Sequence, residues 1–169
     1  MAQALLIIDT QNYFLNHYTH KLPERIASFI QHLPSTNLHF FPFQFSPQLP
    51  FHNLFKESKP VAPEGPEIVK ELQPWVTTKN VWPKSTVSCF KVPGFVKFCQ
   101  TKAITDFFLC GFDTDGCITA TAFEAFDRGW QVRIIRDLCA SCQGDAPHIQ
   151  ALNQIRRNIK NSIVFSKDV

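Results

Sequence analysis

Short apolar runs bounded by turn residues alternate along this chain with stretches whose apolar residues recur every three or four positions. Ala4–Ile8 is a continuous apolar run that stops at Asp9, the pattern of a parallel strand buried on both faces. Ile26, Phe29, Ile30 and Leu33 share one face of a helix that starts at Pro23 and is closed by Pro34. Leu38–Phe41 predicts a second strand, and Gln73–Thr78 a further strand or extended segment. Pro93–Lys102 predicts a helix with Phe95, Val96, Phe98 and Cys99 available for packing. Phe107–Cys110 is an apolar run ending at Gly111, and after a polar turn Cys117 stands where the next helix begins. That helix carries Ile118, Ala122, Ala125 and Phe126 on one face and stops at Arg128-Gly129, before the β-branched run Val132–Ile135. Ala146–Asn158 predicts a helix with Ile149, Leu152 and Ile155 on one face, and Ser162–Phe165 a last short strand.

Strand, turn, helix and strand within Ile104–Asp137 make a βαβ unit, whose crossover is expected to be right-handed. Repetition of this alternation predicts one domain over residues 1–169, an α/β fold of three α/β/α layers. The expected sheet is Rossmann-like and mostly parallel, with about six strands.

Between the second strand and residue 67 the pattern lapses into FPFQFSPQLPFHNLFKESKPVAPEGPE, dense in proline and phenylalanine. Long irregular segments of this kind are uncommon in compact domains unless they serve as a lid or a pocket wall. Phe43, Phe45, Phe51 and Phe55 either line an apolar pocket or form a satellite cluster under a loop.

Composition narrows the function. Hydrophobic residues make up 44% of the 169 residues and charged residues 18%, a globular balance that argues against disorder. A net charge of +3, with no basic run interleaved with aromatics, argues against nucleic acid as a partner. MAQALLIID lacks the basic start of a signal peptide, and no run approaches the length of a membrane span. A cytoplasmic protein is therefore expected, with its six cysteines mostly reduced.

Three chemically useful residues converge on the carboxyl ends of the predicted strands, where ligands bind in such sheets. Asp9 follows the first strand. Cys117 sits at a helix N-terminus, where backbone N–H groups and the helix dipole favour thiolate. Lys84, between Trp82 and an ST-rich turn, suits a place beside an anionic centre. Together they supply a base, a nucleophile and a cation. Cys139-Ala-Ser-Cys142 has CxxC spacing but no second pair to complete a zinc site, and reads as two incidental cysteines in a loop at the pocket rim. Cys99 and Cys110 are expected to be buried.

The chain resembles the isochorismatase-like cysteine hydrolases, a superfamily that includes nicotinamidases and N-carbamoylsarcosine amidases. The resemblance is carried by ALLIIDTQNYF around Asp9, KSTVSCF from Lys84, and CGFDTDGCITATAFEAFDRGWQVRIIRDLCAS around Cys117, with weaker echoes in PGFVKFCQ and in HIQAL at His148. It implies Asp9, Lys84 and Cys117 as a catalytic triad, and the backbone N–H groups of Asp113 and Cys117 as an oxyanion hole. It also implies a cis peptide at Phe112–Asp113, with Phe112 and Thr114 supporting that turn. Metal-dependent nicotinamidases carry an Asp-x-His pair and further histidines after the second strand; this chain has FPFQFSPQLPFHN there, with His52 alone. One imidazole does not make a catalytic metal site. The implied protein is a metal-independent hydrolase, without cofactor, that cleaves an amide-type C–N bond of a small molecule through a Cys117 thioester. Phe14, Phe43, Phe45 and Trp82 are expected to shape its substrate site, and a homo-oligomer is possible. The competing readings are a non-catalytic ligand-binding protein and a thiol-redox protein on the same scaffold.

Overall fold

The computed structural model describes residues 2–33, 38–45 and 66–169. In chain order its main elements are β1 (Ala2–Ile8), α1 (Leu22–His32), β2 (Leu38–Phe45), β3 (Trp82–Lys84), α2 (Phe95–Thr101), β4 (Ile104–Gly111), α3 (Thr119–Asp127), β5 (Gln131–Cys139), α4 (Asp145–Asn158) and β6 (Ile163–Val164). The six strands form one sheet in the order β3-β2-β1-β4-β5-β6, and every pairing is parallel. Helices cover the sheet, giving the expected α/β architecture.

The apolar run at residues 4–8 becomes the middle of the molecule. β1 is paired on both edges, to β2 and to β4, and Ala4–Ile8 are wholly buried. The chain winds outward from β1 to β2 and β3 on one side, and from β4 to β5 and β6 on the other. The strand order therefore reverses between β1 and β4, and the carboxyl ends of those two strands flank the crevice where such sheets bind ligands.

Local chemistry accounts for the element ends. Pro23 occupies the first turn of α1, where a missing N–H costs nothing, and Leu33 turns extended ahead of Pro34. Two expectations are corrected. Gln73–Thr78 is not a strand: Lys70–Trp75 is a short 3-10 helix with Pro74 inside it, because Val69 and Leu72, three apart, bury one edge. Ile149 does not face the core but is 51% exposed; the inner face of α4 is Ala151, Leu152 and Ile155. Phe126 on α3 is likewise 51% exposed.

Candidate active site

β1 ends in a backbone conformation that an ordinary residue avoids. Asp9 has φ of 53°, in the left-handed region, a strain of about 1–3 kcal/mol that persists only where the surroundings impose it. Those surroundings are visible. Asp9 N–H donates to Phe43 O at 3.1 Å, and Gln11 N–H donates to Asp9 O at 2.8 Å. The Gln11 carboxamide then acts as a strand edge, accepting from Phe45 N–H at 2.7 Å and donating to Phe45 O at 3.0 Å and to Pro66 O. Neighbouring β4 ends at Gly111, with φ of 111°; a Cβ there would stand 2.1 Å from Ile8 O. Only glycine allows the two strand ends to approach this closely, and Phe112 N–H seals the contact by donating to Ile8 O at 2.8 Å.

Into this frame β3 delivers Lys84. Its Nζ lies 2.9 Å from Asp9 Oδ2 and 3.4 Å from Cys117 Sγ, and donates to Thr86 O at 2.9 Å and Val87 O at 3.3 Å. Four acceptors thus surround three donors. Asp9, Lys84 and Cys117 are 0%, 3% and 6% exposed. Burial alone would discharge the lysine, but the Asp9 carboxylate and the Cys117 and Cys89 thiols outweigh it and raise its pKa above the usual lysine range. The structure therefore unites the three residues singled out from the sequence around the buried Lys84 ammonium.

Cys117 does not start an α-helix. It sits in a single π-helical turn, Thr114–Ile118, that feeds α3. Such turns widen a helix locally and are frequent at functional sites. The turn is held on several sides. Thr114 N–H donates to Ala140 O at 3.0 Å, and Gly116 and Ile118 N–H both donate to Asp113 O, at 3.0 and 3.1 Å. Thr119 Oγ1 donates to Thr114 O at 2.6 Å. Thr114 Oγ1 also pairs with His148 Nδ1 at 2.8 Å. Burial, and secondarily Arg136, pushes the His148 pKa down, so a neutral imidazole is the favoured partner for that hydroxyl. His148 was only an echo in the sequence, and Gln11 carried no signal there beyond its place after Asp9.

The expected pocket residues divide. Phe14 lies beside Phe45 and Phe112, at centroid separations of 6.3 and 6.5 Å, and Lys84 Nζ stands 4.9 Å from the Phe45 ring. Phe43 and Trp82 pack instead on Phe95 of α2, at 4.9 and 5.0 Å, within the aromatic core. Phe51, His52 and Phe55 lie outside the described residues. Hollows of about 480, 330 and 660 Å³ open elsewhere, and none is lined by Asp9, Lys84 or Cys117.

All six cysteines are buried, so Cys139 and Cys142 are not exposed at a rim. Cys139 closes β5 with its Sγ 3.7 Å from Leu109 O, and Cys142 Sγ donates to Phe14 O at 3.1 Å. Cys139 is held inside by its pairing with β4, and Cys142 because the chain leaving β5 meets the Phe14 segment. Cys89, whose setting the sequence left open, is wholly buried near Lys84; burial pushes its pKa up to about 12 despite the cation. Among the described residues no three His, Cys, Asp or Glu side chains gather as metal ligands. The stretch FPFQFSPQLPFHN holds one imidazole, His52, and no aspartate.

Residues 3–164 match the isochorismatase domain. An uncharacterized isochorismatase family protein of Bacillus subtilis is 25% identical over 185 residues, spanning 99% of this chain and all of that one. Nicotinamidase PncA from Bacillus subtilis superposes with a TM-score of 0.82 at 24% identity, covering 97% of this chain and 99% of that one. N-carbamoylsarcosine amidase from Thermoplasma acidophilum also gives 0.82, at 19% identity, over 100% and 99% of the two chains. At such identities the two superpositions speak to the fold.

Proposed function

Because the chain belongs to the isochorismatase family, we propose that it is a cysteine hydrolase cleaving an amide-type C–N bond of a small molecule through a thioester on Cys117. The observation that carries the reading is Lys84 Nζ poised between Asp9 Oδ2 and Cys117 Sγ, with all three groups buried. The fold is shared with a nicotinamidase and an N-carbamoylsarcosine amidase, and this supports an amide as the bond attacked.

The steps follow from the roles these groups can play. Asp9 takes the Cys117 thiol proton, and the sulfur attacks the carbonyl carbon. The oxyanion that forms is held by the N–H groups of Asp113 and Cys117, in a turn stiffened by the bonds described above. Asp9 returns the proton to the departing nitrogen as the C–N bond breaks, leaving the acyl group on Sγ. Asp9 then deprotonates a water that attacks the thioester, and the acid leaves while Sγ regains a proton. Lys84 keeps its charge throughout, favouring carboxylate and thiolate alike. Phe14 and Phe45 supply an apolar wall suited to the acyl portion.

The test is ammonia release from a panel of primary amides, nicotinamide included, coupled to intact-mass analysis of wild-type protein and Asp9→Asn. A turned-over amide should leave an acyl mass that maps to Cys117, and Cys117→Ser should abolish release. Release that survives in Cys117→Ser, or an adduct mapping to another thiol, would overturn the reading.

A further inference from the structure

The oxyanion turn has a second anchor that the mechanism above does not use. Asp113 contributes one of the two proposed oxyanion donors through its backbone, yet its side chain is a carboxylate. A negative charge beside a developing oxyanion opposes it unless that charge is directed elsewhere. Here Asp113 is buried and its Oδ1 accepts the backbone N–H of Cys142 at 2.8 Å. The carboxylate is thereby turned toward the loop between β5 and α4.

Cys142 is itself a junction. Its carbonyl accepts from Asn16 Nδ2 at 2.8 Å, and its thiol donates to Phe14 O at 3.1 Å. Phe14 O receives a second bond from Thr19 Oγ1 at 2.8 Å, and that hydroxyl in turn accepts Asn16 N–H at 2.8 Å. A continuous run of bonds therefore joins the Asp113 carboxylate, the Cys142 backbone and the backbone that carries the Phe14 wall. The bonded groups are on three different segments of the chain: Asp113 lies 29 residues from Cys142, while Phe14 and Asn16 lie 128 and 126 residues from it.

We propose that Asp113 is a positioning residue for acyl transfer: its carboxylate, latched to Cys142 N–H, fixes the oxyanion turn against the Phe14 wall so that the Asp113 amide and the acyl group share one register. This inference rests on the acyl-transfer reading. Displacing an oxyanion donor by about 1 Å is enough to cost about 10²-fold in rate. The acceptor atom, not the charge, is what the latch requires. Asp113→Asn keeps an acceptor oxygen and removes an adverse charge, whereas Asp113→Ala removes both.

The test compares two reactions of the same sulfur. Acylation of Cys117 by 4-nitrophenyl acetate passes through an oxyanion; alkylation by iodoacetamide does not. Asp113→Ala should acylate about 10- to 100-fold more slowly than wild type. Its alkylation rate should stay within about threefold, since the nucleophile and Lys84 are untouched. Asp113→Asn, which keeps an acceptor oxygen, should acylate about 10-fold or more faster than Asp113→Ala. Asp113→Glu, which shifts the acceptor by a methylene, serves where the alanine variant fails to fold by circular dichroism, and should show the same selective loss of acylation. Equal acylation in wild type and the alanine or glutamate variant overturns the proposal while leaving the hydrolase reading intact. A parallel fall in alkylation overturns it as well, since that marks general collapse. So does acylation in Asp113→Asn as slow as in Asp113→Ala, which would make charge the operative property. Absence of any Cys117 acetyl adduct in wild type, with alkylation intact, brings down the acyl-transfer reading itself.

Discussion

Replacing Lys84 by methionine keeps an unbranched apolar stem in place of its methylenes and removes its charge, which isolates what the buried cation does. The ion pair to Asp9 spans 2.9 Å, and both side chains are fully shielded from solvent. At an effective dielectric of about 20 a pair at that distance attracts by roughly 6 kcal/mol, most of which is offset by the cost of desolvating both ions. Removing one partner exposes that cost without its compensation and typically destabilises by about 3–5 kcal/mol. Asp9 has an escape in taking up a proton. For a carboxyl of ordinary acidity this costs about 4 kcal/mol at pH 7, which sets the ceiling. Lys84→Met should therefore lose about 3–4 kcal/mol at pH 7, and the deficit should shrink by up to about 1.4 kcal/mol for each pH unit toward 5. The double variant Asp9→Asn with Lys84→Met should be more stable than the sum of its single variants predicts.

Wild type carries the complementary signature at high pH. The folded Lys84 pKa is raised above the unfolded value of about 10.4, so its contribution is complete below that pH and is lost as pH rises toward the folded value. Lys84→Met lacks that alkaline loss. Urea unfolding between pH 5 and pH 7 measures the first quantity, and unfolding carried from pH 9 to about pH 12 the second, with slopes checked for constancy. A loss below about 1 kcal/mol at pH 7, or a double variant whose loss is the simple sum, would refute the argument that the pair is buried and coupled.

The parts of the site legible in the sequence were those whose signal is local. Ala4–Ile8 announces a central strand because both its faces are buried, and Asp9 is found by where that run stops. Gly111, Thr114 and Cys117 are readable because one turn must combine a close strand approach, a supported hydroxyl and a nucleophile. The rest depends on distant partners. β3 has only Trp82–Lys84, too short for periodicity to mark. Phe43 and Phe45 share one face of β2, yet Phe43 meets Phe95 while Phe45 meets Phe14 and lies by Lys84. The pattern of β2 shows that both are apolar but not where the covering helix ends. Cys139 and Cys142 follow a predicted strand in a polar stretch, so they read as rim residues; pairing with β4 takes Cys139 inside, and the return of residues 12–19 covers Cys142. Gln11 looks like any polar loop residue until its carboxamide is seen paired with the Phe45 backbone.

Among further predictions, activity should survive chelator dialysis, given His52 alone after the second strand; loss with chelator and recovery with zinc, iron or manganese would contradict this. In limiting iodoacetamide at neutral pH Cys117 should be alkylated first, because Lys84 Nζ lies 3.4 Å from its sulfur, while burial holds Cys89 and Cys99 near pKa values of about 12. Peptide mapping decides it, and prior labelling of Cys139 or Cys142 would unseat the nucleophile and favour redox chemistry. Gly111→Ala joins fold and site most directly. Its added Cβ would meet Ile8 O at 2.1 Å, a backbone atom that cannot swing aside, at a φ of 111° that a side chain resists. The strand ends must part, moving Ile8–Asp9 away from Phe112 and so separating the base from the oxyanion turn. Strain of this kind costs about 1–3 kcal/mol, so the protein should still fold, with a lowered melting temperature and acylation of Cys117 reduced about 10²-fold. A variant that melts like wild type and acylates at its rate would show that the β1–β4 approach does not set the geometry of the site.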